Sequence, residues 1–402
     1  MMYDALIIGA GPAGATTALL LARAGWRVAL IEKAVFPRRK VCGEFISATT
    51  LPLLEQIGLD EAFMSLAGPE IRRVGIFAGE TTPTPEAPLP APAGYRRSWG
   101  RALGRDRLDP LLLEAAGEAG ARIWQPYSAT ALCPIDGGHA CAITSESSKV
   151  STVLTGRIAI VAQGSWTRGI LPWARPQPHK DSDLIAFKAH FINSDLPADL
   201  MPLLVFPGGY GGMATSDSGR VSLSCCIRRD ALENCRGRWP GRAAGDAVFQ
   251  HIQLSSIGVR QSLKRAYLDG AWLSTGPIRP GIRTGYANGV FLVGNIAGES
   301  HPLIAEGISM AMQGAHLLAR HLIAQQDNLA PEAQQKLGAK YTAEWKACFA
   351  PRIYAAELFA RLTVPASVAA ITMPMVAGFP GILTIGSRIA GKAQVCVVSA
   401  RG

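Results

Sequence analysis

YDALIIGAGPAGATTALLLARAGWRVALIEK, residues 3–33, reads as one unit: a buried apolar strand, a glycine-rich turn, an amphipathic helix, a second apolar strand and an acid at its end. That order is the dinucleotide-binding βαβ unit, and each glycine has its own reason to be there. Gly9 permits the tight turn out of the strand, Gly11 lets the backbone approach a pyrophosphate, and Gly14 lets the helix pack closely on the sheet. The pyrophosphate would sit on the free N–H groups at the helix start, beside Ala13, where the helix dipole favours negative charge. Glu32, followed by Lys33, would accept hydrogen bonds from a ribose 2′-hydroxyl. An acid there disfavours a 2′-phosphate, which points to FAD or NAD rather than NADP in this unit.

Working outward, 402 residues are enough for a large core and two or three subdomains. A composition of 48% hydrophobic and 17% charged residues excludes a disordered chain. The net charge of +10 raises nucleic acid, an acidic carrier protein, a membrane surface or anionic substrates as partners. The basic residues form no run and no nucleic-acid module, so nucleic acid is set aside. None of the eight cysteines has a metal-ligand spacing, and the neighbours Cys225 and Cys226 would bridge only with strain, which suits a reducing cytoplasm and no metal site. The chain opens directly on a strand and has no clean apolar run of spanning length, so no secretory leader and at most peripheral membrane contact are expected.

A helix is expected from 105 to 119, strand-like residues at 121–124 and a buried strand at 156–164. From 181 to 275 the character changes. Strand candidates at 184–191, 203–206, 220–227 and 272–275 are separated by Gly and Pro turns, with an amphipathic stretch near 243–256, which predicts an inserted, mainly antiparallel sheet. VFLVG at 290–294 returns to the first domain, and a long helix follows from about 306 to 325. The proline-rich run from Thr81 to Pro92 reads as an exposed extended loop. After Glu357 there is no acid, four basic residues and apolar runs cut by Pro365, Pro374 and Pro380: a core-covering tail, a lid over a lipophilic site, or an interfacial segment.

Four further segments fall at matching order and distance. They are RRKVCGEFISATT at 38–50, RDRLDPLL at 105–112, AQGSWTR at 162–168 and GNIAGESHPLIAEGISMAM at 294–312. Together with the glycine triplet they resemble the FAD-dependent oxidoreductases that include group A flavoprotein monooxygenases and geranylgeranyl reductases. Gln163 stands where many monooxygenases have an acid, and Asn295 where an Asp is commoner. The resemblance implies an α/β fold in which a discontinuous Rossmann-like FAD-binding domain, 1–180 and 276–325, carries an antiparallel substrate domain at 181–275 and a helical C-terminal region at 326–402. It places Lys40, Cys42, Gly43, Arg105, Gly294, Asn295, Pro302, Gly307 and Ile308 around the flavin. N–H groups near Gly307 and Ile308 would favour reduced flavin, whose pyrimidine edge is anionic. VFPGGYGG at 205–212 resembles a strand and turn over the substrate cavity, with Phe206, Pro207 and Tyr210 as wall candidates.

Three residues could do chemistry. Cys42 is either a pocket-lining thiol or, next to Lys40, a reactive one. Glu44 is an acid or base, or caps a helix starting near Ser47. His301 is a catalytic base or a loop histidine with a structural hydrogen bond. No second glycine fingerprint occurs, so NAD(P)H is implied only as a transient electron donor. The leading expectation is a monooxygenase acting on a lipophilic small molecule through a flavin C4a-hydroperoxide. The alternatives are a geranylgeranyl-reductase-like reductase of C=C bonds, supported by KVCGE, and a flavin-binding assembly partner without turnover. SWTRGILPW at 165–173 does not reproduce the WxWxIP segment of the halogenases, which speaks against halogenation.

Overall fold

The computed structural model describes residues 2–80, 84–91, 99–165, 171, 178–363, 376 and 378–392. The first strand, β1 (Tyr3–Ile8), lies between β2 (Val28–Ile31) and the strand Ser151–Val161, parallel to both. The sheet continues through Arg122–Trp124 on one side and Val290–Leu292 on the other. Both of its faces are covered, so β2 is buried at every residue and shows no polar alternation. Helix α1 (Pro12–Arg23) packs between the helices Arg105–Glu118 and Gly307–Ile323. A hairpin, Tyr127–Ile135 and Gly138–Ser145, extends from Ser151–Val161.

The second sheet has seven strands in the order Tyr267–Ile278, Leu184–Ile192, Val221–Arg228, Gly209–Thr215, Leu200–Phe206, Arg73–Ala78 and Glu86–Pro88. All neighbours are antiparallel except Leu200–Phe206 with Arg73–Ala78. Its outer face is closed by the amphipathic helix Ala244–Ser255, whose Ala247, Val248 and Ile252 join Phe187, Phe191, Leu223 and Ile227 in one core. Its inner face looks toward the first domain.

Two expectations change here. The second sheet recruits Arg73–Ala78 and Glu86–Pro88, which the sequence boundaries leave inside the first domain. The proline-rich run is also not wholly an exposed loop: Glu86–Pro88 pairs as an edge strand, where prolines are tolerated, and Ala87 and Leu89 are buried. Residues 81–83 and 92 of that run lie outside the described residues.

A long helix, Pro331–Thr363, follows the first domain, and a shorter one, Gly381–Ser387, runs into a last turn at Arg388–Lys392. Leu383 and Val376 pack with Val74, Ile76, Met201 and Ala214, so this part of the tail does cover a core. The remainder beyond 363 lies outside the described residues. Among the described residues no helix is long and apolar enough to cross a membrane.

Candidate functional site

The carboxyl ends of β1 and β2 open into a cleft of about 590 Å³ that continues to the inner face of the second sheet. The glycines behave as their spacing predicts. Gly9 has φ +104°, and a Cβ there would meet the Ala162 carbonyl oxygen at 2.7 Å. A Cβ on Gly14 would fall 1.8 Å from the Gly9 carbonyl oxygen. Gly11 is different: its nearest neighbour would be Arg105 Nη2 at 3.5 Å, so what its small size preserves is open space at the start of α1. Glu32 is buried at the end of β2. Its Oε2 accepts from the Ala10 N–H at 2.9 Å and its Oε1 from the Ala34 N–H at 2.8 Å, which fixes the acid in the cleft wall with acceptor capacity left.

Arg38, Lys40 and Arg105 converge on the wall beside the α1 N-terminus. Arg105 grips Asp109 with both fork atoms, at 2.6 and 2.8 Å, and Arg38 lies 3.6 Å from Glu32 and 3.8 Å from Asp109. Three cations thus face two carboxylates. Burial, then repulsion from Arg105 and Arg38, pushes the Lys40 ammonium down to about 8. A site where cations repel one another beside a helix N-terminus is short of one anion, and a diphosphate fits it. Arg105, expected around the flavin, lines the cleft while its Nε and Nη2 are engaged by Asp109 of its own helix.

On the opposite wall Glu299 Oε1 accepts from Ser165 Oγ at 2.7 Å and from Asn295 Nδ2 at 3.0 Å. Burial pushes the Glu299 carboxyl up, against the opposing pull of Ser165, Arg283 and Asn295. The 302–308 loop borders the cleft through Pro302, Gly307 and Ile308, with Ala305 at φ +51° and the helix Gly307–Ile323 starting there. Behind it Glu306 is fully buried, paired with Lys392 Nζ at 3.0 Å. Four buried polar atoms of cleft residues have no strong hydrogen-bond partner among the described residues: Arg38 Nε, Gln163 Oε1, Tyr210 Oη and Glu299 Oε2. Such orphans are costly unless a ligand answers them. The donor and acceptor set, the glycine cradle and the excess cations all fit FAD.

Ala13, Lys33, Cys42, Gly43, Gly294 and Asn295 also line the cleft. The substrate-wall candidates divide. Tyr210 lines it, but Phe206 and Pro207 do not. A strand exposes alternate residues to one face: Met201 and Leu203 look into the cleft, while Phe206 packs with Phe187 and Leu223 behind the sheet and edge-on to His251. His301 stacks on Tyr210 with ring centroids 4.7 Å apart, and burial pushes its imidazole down to about 4, so it is neutral near pH 7. Its Nδ1 makes no hydrogen bond, and it supports Tyr210 from outside the cleft lining.

Glu44 does not cap the next helical turn, which Ser47 caps itself. At φ +63° it turns its carboxylate onto Lys188 Nζ and His190 Nε2, the latter at 2.9 Å, and it accepts from the Arg105 N–H at 3.2 Å. Burial opposes its charge, but His190 and Lys188 outweigh burial and hold the carboxyl at about 2. Sequence reasoning missed Lys188 and His190. The signal was present in AFKAHF at 186–191, because two polar residues two apart on a buried strand face the same side.

A family model described as an FAD binding domain matches residues 2–351, and the chain belongs to that family, the one that holds group A flavoprotein monooxygenases and geranylgeranyl reductases. Digeranylgeranylglycerophospholipid reductase 1 of Methanococcoides burtonii is 28% identical over 363 residues, covering 87% of this chain and 81% of the relative. Conditioned medium factor receptor 1 of Dictyostelium discoideum is 25% identical over 80% of this chain, which spans 63% of that relative's length. Among solved structures a flavin-dependent brominase superposes with a TM-score of 0.74 at 18% identity, covering 98% of this chain and 94% of the other. The fold is thus the mixed α/β fold of FAD-dependent oxidoreductases.

Proposed function

We propose that this protein is an FAD-dependent reductase of carbon–carbon double bonds in a lipophilic substrate, with a nicotinamide as transient electron donor. One observation carries the reading: Tyr210 Oη, a proton donor, faces the cleft with no better partner than the weak Cys226 thiol. Burial holds the Tyr210 phenol well above its ordinary range, so it keeps its proton, and the Glu299 carboxyl across the cleft is pushed up by burial against the pull of Ser165 and Arg283. The Glu44 carboxylate, held low, is locked between Lys188 and His190 and is not free to act as a base.

When bound, FAD supplies two-electron chemistry, either toward the substrate or toward oxygen. The chain's own part differs between the two. Saturating a double bond requires a proton donor at carbon, and Tyr210 Oη, which finds only the weak Cys226 thiol nearby, is poised to give one. Hydroxylating a phenolic ring calls instead for a base beside the substrate, and the side chain at the apolar wall, Tyr210, is a proton donor. Ala186, Met201, Leu203, Met213, Ala214 and Ile278 form an apolar wall suited to a hydrocarbon chain and to keeping water out. The reductase named above, matched along most of both chains, supports the same choice.

Monooxygenation, the leading expectation from sequence, remains the second reading because the dry apolar wall would serve it equally. Isotopes separate the two. Turnover of a polyprenyl alcohol in deuterated water should place at least one solvent deuteron on a product carbon under the first reading. Oxygen-18 from the gas phase in the product would overturn it.

A further inference from the structure

Among the described residues the C-terminal region carries an exposed apolar face. Tyr354 and Leu358, one turn apart on the helix Pro331–Thr363, are 62% and 60% exposed. Ile385 and Ile389, also one turn apart, are 59% and 58% exposed, and Phe379 just before them is 70% exposed. The two stretches touch, since Ala390 packs with Ala356 and Ile304, and the Arg352 side chain lies against Gly391. Scattered exposed apolar residues need no explanation, but five on two touching segments do.

The same stretch has an inner side. Leu383 packs with Met201 and Ala214, which line the cleft, and Lys392 pairs with the buried Glu306 next to the 302–308 loop. One side of the segment therefore backs the cavity wall while the other meets solvent.

Charge selects what covers the outer side. From Leu358 onward the chain has no Asp or Glu but has Arg361, Arg388, Lys392 and Arg401. Arg388 is exposed between Ile385 and Ile389. Glu357, the acid nearest this surface in sequence, is held by Arg361 at 2.6 Å. Bulky apolar side chains around the exposed Arg388 match acyl chains beneath phosphate headgroups. We propose that Tyr354, Leu358, Phe379, Ile385 and Ile389 form a surface that docks on an anionic membrane, with the apolar side chains at the acyl boundary and Arg388 at the phosphates. No described helix spans a bilayer, so the docking is peripheral. The proposal stands whichever reaction the cleft performs.

Cosedimentation of the full chain with vesicles of equal parts phosphatidylglycerol and phosphatidylcholine tests it. Binding should fall about tenfold or more in I385S/I389S and about fivefold in R388Q. It should be unchanged in L254S, an equally exposed apolar residue on the helix Ala244–Ser255. Flavin content and melting temperature report whether each variant is folded, and F379S, outside the helical turns, gives the same test if the double variant does not fold. Absence of binding to these vesicles overturns the proposal, and so does binding that survives both I385S/I389S and F379S. A dimer that the same substitutions dissolve, with no vesicle binding, makes the patch a contact between protein copies and also overturns it.

Discussion

Glu44 and His190 meet carboxylate to imidazole at 2.9 Å across the junction of the two domains, both no more than 2% exposed. With Lys188 on the other oxygen, the contact ties the turn Cys42–Glu44, which lines the cleft, to the second sheet. Breaking it by Glu44→Gln leaves the Lys188 ammonium buried without its anion, which costs about 3–5 kcal/mol. The variant should melt well below the parent in a thermal scan, and an unchanged melting temperature would show that the pair is not held this way in solution.

The same carboxyl gives a pH signature. Its folded value of about 2 lies below the ordinary glutamate value of 4.5, so the stabilisation it provides is fully present above about pH 4.5. It is lost as pH falls from there toward 2. The parent's melting temperature should drop across that window more steeply than that of Glu44→Gln, which has already lost this contribution.

Gly11 and Gly14 should separate cofactor binding from folding. A side chain at Gly11 meets nothing closer than Arg105 Nη2 at 3.5 Å, so Gly11→Val should fold yet fill the space expected for the pyrophosphate. A methyl group at Gly14 collides with the Gly9 carbonyl oxygen, so Gly14→Ala should lower thermal stability itself. Flavin absorbance per protein and the melting temperature distinguish the two. Full flavin occupancy in Gly11→Val would mean the cradle is misassigned.

Arg105→Ala removes the bidentate partner of Asp109, which is fully buried. Stability should fall by about 3–5 kcal/mol, and FAD retention with it, because the cleft then loses a cation. Arg105→Lys restores the charge but not the fork. It should recover flavin affinity more than thermal stability. The reverse ranking would show a direct fork contact to the cofactor.

The βαβ unit was legible because each of its glycines answers a local steric demand that survives in one dimension. The edge of the second sheet was not. Arg73–Ala78 pairs with Leu200–Phe206, more than a hundred residues away, and the proline-rich run conceals a three-residue strand. Phe206 falls in the expected strand at 203–206, but the two-residue period of Leu200–Phe206 carries it to the far face, which the sequence of the strand alone does not assign. Lys188 and His190 escaped notice because a single Lys and a single His in a strand acquire meaning only when Glu44 arrives from 144 and 146 residues away.

Anaerobic single turnover tests the central claim most directly. Flavin in the holoprotein, reduced by NADPH or NADH with oxygen excluded, should be reoxidised on adding a polyprenyl alcohol such as geranylgeraniol. The product should then carry two more hydrogens, and Tyr210→Phe should slow that step by at least about a hundredfold. Flavin that stays reduced until oxygen is admitted, and then yields an oxygenated product, would contradict the account.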